Sequence, residues 1–145
     1  MGSMTQTRIL RNSLVLMLLS AVAGCSTAGG GDRHPSSQLR LVKLTPAESS
    51  ILLTAAATGT IAPRGKCVYF VGARDQRTLA LWPAYFELDT LRGAPVGVRN
   101  TLTGTRVAFG EPHTFGGGNM EALPGMVLEP VPAGCSGPAM MLYFD

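Results

Sequence analysis

Three cysteines (Cys25, Cys67, Cys135), two histidines (His34, His113) and a few carboxylates and hydroxyls are the residues of this chain that could do chemistry. A thiol can carry a lipid, close a disulfide, ligate a metal or cycle as a redox centre. The redox option is served by a C-x-x-C pair, and the sequence has none. A metal site needs three or four ligands at fixed spacing. Glu111-Pro112-His113 sets two candidate ligands on one strand face, and Glu121 could approach them across Gly116–Gly118, but no third ligand stands at ligand spacing. Acyl transfer needs a nucleophile beside an oriented base. Ser136 and His113 are available, yet no G-x-S-x-G frames the serine. The triple glycine lacks the Lys-Ser or Lys-Thr and the helix that make a phosphate cradle. The expectation is a protein that is not an enzyme and holds no cofactor or metal.

The strongest local pattern surrounds Cys25. Arg8 and Arg11 give a basic start, and Ser13 to Ala23 form an apolar run too short for the roughly 20 residues a bilayer span requires. The run ends in Leu19-Ser20-Ala21-Val22-Ala23-Gly24-Cys25. It resembles the lipobox of bacterial lipoproteins, which implies cleavage after Gly24 and a diacylglycerol on the Cys25 thiol. N-myristoylation is excluded because Gln6 stands where Ser or Thr is required. Ser26 resembles the residue that permits sorting to the outer membrane in a Gram-negative cell. In a monoderm the same signal leaves the protein on the outer face of the plasma membrane.

Removing residues 1–24 changes the composition that matters. Of the 12 Lys and Arg, Arg8 and Arg11 leave with the leader, so ten face nine Asp and Glu in a mature chain of 121 residues. That length suits one domain with a modest core. Near-neutral charge without a basic cluster argues against nucleic acid, since phosphate neutralisation dominates such binding. With Cys25 assigned to lipid, Cys67 and Cys135 are an even pair in an exported protein, where a disulfide is the default.

Residues 25–38 are rich in Gly and Ser and hold almost nothing to bury, so they read as the lipidated cysteine and a flexible tether, with His34 as a solvated linker residue. The domain then runs from 39 to 145. Leu39 to Leu44 reads as a short strand or edge, and Thr45-Pro46-Ala47-Glu48 as a capped helix start. A strand is expected over about Leu52 to Ala62, a turn at Pro63 to Lys66, and a buried strand over Cys67 to Val71. Leu79 to Trp82 is a third strand, ended or placed at an edge by Pro83. Asp89 to Gly97 reads as a long turn, Val98 to Thr101 and Arg106 to Phe109 as short strands. Gly116–Gly118 joins a Pro and Gly-rich loop through Pro138, ahead of a last strand, Met140 to Phe144. The fold expected is all-β, a small barrel or sandwich of about five to six strands.

Taken in order, Gly65-Lys66-Cys67, Leu81-Trp82-Pro83, Gly116-Gly117-Gly118 and Cys135-Ser136-Gly137-Pro138 resemble a recurrent pattern in small, largely uncharacterised, secreted and lipid-anchored bacterial domains. That resemblance spans roughly Ala55 to Asp145. It implies an OB-like β barrel with Cys67 and Cys135 joined, and it supplies no catalytic residue. Lys66 departs from the pattern by separating glycine from cysteine, and Met140-Met141 stands where an aromatic is common.

The candidate binding surface is Trp82, Tyr85, Gly116, Gly117 and Gly118. Trp82 is read as core or rim packing in preference to a stacking platform, because a lone aromatic stacks poorly, and the glycines as positions of positive φ or close approach. The function expected is a lipid-anchored, non-enzymatic module for binding, assembly or structure in the envelope. Its membrane contact is the lipid, and its partner an envelope protein. The alternatives are an inhibitor of an envelope hydrolase such as lysozyme and, behind it, a metal-dependent enzyme at Glu111 and His113.

Overall fold

The computed structural model describes residues 39–145; the expected leader, Cys25 and the expected tether with His34 lie outside the described residues. The first elements follow the local signals. Val42–Lys43 forms β1, and Pro46–Ser49 forms α1. Thr45 caps that helix, its hydroxyl accepting from the Glu48 amide at 3.4 Å, with Pro46 at a position that needs no donor. The remaining strands are β2 (Ala55–Arg64), β3 (Cys67–Val71), β4 (Arg77–Trp82), β5 (Phe86–Leu91), β6 (Ala94–Asn100), β7 (Arg106–Ala108), β8 (His113–Met120) and β9 (Ala139–Tyr143).

Five of these strands close on themselves in the order β2-β3-β4-β9-β8 and back to β2. The β4–β9 pair is parallel and the other four pairs are antiparallel, which is the OB-like barrel expected. The long strand β2 makes closure possible by serving two neighbours in turn. Ala55 to Gly59 pairs with β8, and Thr60 to Arg64 pairs with β3. At the changeover sits Gly59, where a Cβ would collide with the Val71 carbonyl and the Phe70 ring. Pro63 is tolerated because its half of the strand has a neighbour on one side only.

Two apolar clusters lie on opposite faces of the β3-β4-β9 portion. Val68, Phe70, Ala80, Trp82, Met140 and Leu142 point into the barrel. Cys67, Tyr69, Leu79, Leu81, Ala139 and Met141 point outward into a second core with Val42, Leu44 and Cys135. Strands buried on both faces lose the apolar–polar alternation and read as continuous apolar runs. The segments 39–54 and 121–138 supply the outer layer. Ser49 ties one of them down, its buried hydroxyl donating to the Thr45 carbonyl at 2.7 Å and accepting from the Ala84 amide at 2.8 Å.

Two expectations are corrected. Asp89 to Gly97 is no long turn: β5 and β6 form a tight hairpin at Arg92-Gly93, both with positive φ (52° and 81°). Such a turn matches strand twist but usually carries Asn or Asp before Gly, so Arg92 gave no warning. Pro95 sits in the part of β6 that pairs only with β5. Gly116–Gly118 is no loop either, but the middle of β8, opposite Tyr143, Leu142 and Met141. Glycine is required there by neighbours above and beside it: the Tyr143 ring covers Gly116, Leu53 covers Gly118, and a Cβ on Gly117 (φ 149°) would strike the Met141 carbonyl.

Gly117→Ala should therefore destabilise the barrel by about 3 kcal/mol or more, read as a large fall in melting temperature. A variant that melts with the wild type would show that β8 and β9 do not approach as described.

Candidate functional site

The residues picked from the sequence do not assemble into one site. Trp82 is 0% exposed and belongs to the barrel interior, so it offers no surface. Its ring lies 5.4 Å from Phe86, and Phe115 and Phe144 stand edge-on to it at 6.5 and 6.3 Å. Its Nε1–H is buried without an oxygen or nitrogen partner among the described residues, a cost of about 1–3 kcal/mol. Tyr85 is half-buried, with its ring 5.0 Å from that of Phe86. Burial first, and then the negative charge of Asp145 and the nearby Tyr143, raise its hydroxyl pKa above the ordinary value. Gly116 and Gly118 are covered as described above, and Gly117 is buried.

Glu111 and His113 make contacts of other kinds. A Glu111 carboxylate oxygen accepts from the Ala108 amide at 3.1 Å. His113 packs on the rings of Phe115 and Phe144 at 5.0 and 5.5 Å. Among the described residues, no three His, Cys, Asp or Glu side chains are grouped to hold a metal, and no helix is long and apolar enough to cross a membrane.

The disulfide is made. Cys67 and Cys135 are bonded with their Cα atoms 6.0 Å apart, inside the outer core with Tyr69, Leu79 and Met141. It pins the 121–138 segment onto β3. Tyr69 reinforces the pin: its hydroxyl accepts from the Ser136 amide at 3.2 Å. OB domains that bind chains of nucleotides or sugars use the outer face of their second and third strands. Here those strands are β3 and β4, and that face is filled by the protein's own residues 39–54 and 121–138.

Two depressions remain open at the borders of this cover. One, about 930 Å³, lies beside the disulfide, is wide, and has mixed walls, with Gln76, Asn119 and Glu121 beside Leu79, Met120 and Val131. The other, about 500 Å³, is a groove between the chain leading into β1, the start of β5 and the loop at 128–132. Leu39, Leu41, Leu88, Leu128, Pro130 and Pro132 give it apolar walls, with Arg40, Lys43, Glu87 and Glu129 also lining it. No local sequence pattern marks this groove as a site. Leu39 to Leu44 reads as a short strand or edge, but nothing local marks three segments this far apart as neighbours. No protein-family model, no curated protein and no solved structure matches this chain.

Two outcomes follow. Cys67→Ser and Cys135→Ser should each lower stability on the order of 4 kcal/mol by freeing the same loop of the unfolded chain. The double variant should match either single one in a denaturant titration, and additive losses would contradict a shared role. For Tyr85, a folded-state pKa raised above about 10 means the contribution is whole below that pH and is lost as pH rises through the folded value. Unfolding titrations between neutral and strongly alkaline pH should show this decline, and Tyr85→Phe should remove it.

Proposed function

We infer that this protein is a lipid-anchored, non-enzymatic module of the bacterial cell envelope that binds a protein partner. The observation that carries the inference is the allocation of cysteines. Cys67 and Cys135 bond to each other, which leaves Cys25 as the odd thiol of the chain, and it stands where a lipobox ends. A lipid on Cys25 supplies location. The segment to Gln38 supplies a reach of about 20 Å if it behaves as a flexible chain, and the barrel supplies the recognising surface. In a Gram-negative cell the module would face the periplasm from the outer membrane, and in a monoderm it would sit on the outer face of the plasma membrane.

The cover over β3 and β4 supports a protein partner over nucleic acid, because the surface that would line up bases is used internally and the mature chain is close to neutral. With its conspicuous polar side chains engaged in packing and backbone contacts, the module would act by presentation.

Expressed in a bacterial host, the wild type should partition into the membrane and detergent-rich fractions. Cys25→Ser should appear in the soluble fraction or remain unprocessed at its larger mass. A Cys25→Ser protein that is cleaved and still extracts only with detergent would overturn the anchoring.

A further inference from the structure

We propose that the 500 Å³ groove is a strand-addition site, in which an uncharged, extended peptide segment of a partner protein pairs with the free edge of β5. The proposal rests on the binding-module reading above and specifies where and how such a module binds.

The first observation is an unpaired edge. In the β5-β6-β7 sheet, β5 is terminal and pairs only with β6 among the described residues. Glu87 and Leu88, from the start of this strand, line the groove. A strand edge presents N–H and C=O groups in a fixed register, and a second strand is what satisfies them. The other terminal strand of that sheet, β7, has three residues and offers little length.

The second observation is what faces this edge. Leu39, Leu41 and Leu88 are half-buried on the barrel core and turn their remaining surface to the groove. Leu128 is 50% exposed there. Pro130 and Pro132 contribute apolar surface and no backbone donors. An occupant with apolar residues at alternate positions would bury them against these leucines while its backbone met β5.

The third observation is charge. Arg40 and Glu129 pair with each other at 3.4 Å, Glu87 pairs with Arg99 at 3.0 Å, and the Lys43 ammonium donates to the Ala84 carbonyl at 3.3 Å. The charged side chains that line the groove, Arg40, Lys43, Glu87 and Glu129, are two of each sign, so they select neither a phosphate nor an acidic or a basic peptide, and the central part of the occupant is neutral. A second copy of this chain fits poorly. Antiparallel addition of β5 to its own mate, in the registers centred on Leu88 or Asp89, sets Glu87 against Asp89 or Asp89 against Asp89, and like charges opposite one another are destabilising.

The test uses the mature full-length protein and random short peptides displayed on phage. Selected peptides should share alternating apolar residues, should slow hydrogen exchange of β5 amides, and should bind Leu128→Asp about tenfold or more weakly with its melting temperature unchanged. Peptides that protect the groove leucines but leave β5 amides exchanging freely would overturn strand addition. Peptides that map to the cleft beside Cys135, or elsewhere, would overturn the groove while leaving a binding module standing. Enrichment of no peptide would count against both.

Discussion

The structure depends on three strands, β3, β4 and β9, that are apolar on both faces. A sheet of this kind cannot be left half covered, because Tyr69, Leu79, Leu81 and Met141 on one side would face water as surely as Phe70, Trp82 and Leu142 on the other. The barrel wall and the three-stranded β5-β6-β7 sheet enclose the inner side. The outer side needs a separate layer, and the chain makes it from the stretch before β2 and the stretch before β9. Neither of those stretches has much regular structure of its own, with α1 reduced to four residues. Side-chain burial and a few anchors hold them: the disulfide, the Ser49 hydroxyl, and the Tyr69 hydroxyl at Ser136. Such anchors matter more here than in a helix, where the backbone satisfies itself.

Local chemistry made part of this legible from the residues alone. Thr45, Pro46 and Glu48 announced a helix start, Cys67 to Val71 and Leu79 to Trp82 announced buried strands, and Pro83 announced an end. The cysteine pair is the even remainder once Cys25 is set aside, as the lipobox resemblance implies. What escaped was decided by distant contacts. Arg92 is held at positive φ by the hairpin it closes, and its side chain carries no preference for that conformation. The three glycines of β8 look like a flexible loop when read alone. They are a strand because Tyr143 and Leu53 lie where side chains would be and because the β9 backbone comes too close for a Cβ. Tight approach, rather than freedom, is what these glycines provide.

Trp82 makes the same point from the other direction. As the only tryptophan of a chain with few aromatics, it draws attention as a binding residue. Its position on β4, pointing inward and followed by a proline that turns the chain toward Phe86, makes it the centre of an aromatic core. The groove is the counterpart: Leu39, Leu88 and Leu128 are unremarkable residues that acquire meaning only from the topology that gathers them.

The parallel pairing of β4 with β9 has a kinetic meaning as well. Fifty-six residues intervene between these strands, including a complete small sheet, so the seam between them is a high contact-order event that follows most local folding. Until it forms, β4 lacks its β9 neighbour and part of two apolar layers stands open to association. Cys135 lies just ahead of β9 and reaches Cys67 when that strand is in place. Oxidation then acts as a latch on a nearly finished barrel, and the redox state of the pair reports how much of a population has closed the seam between β4 and β9.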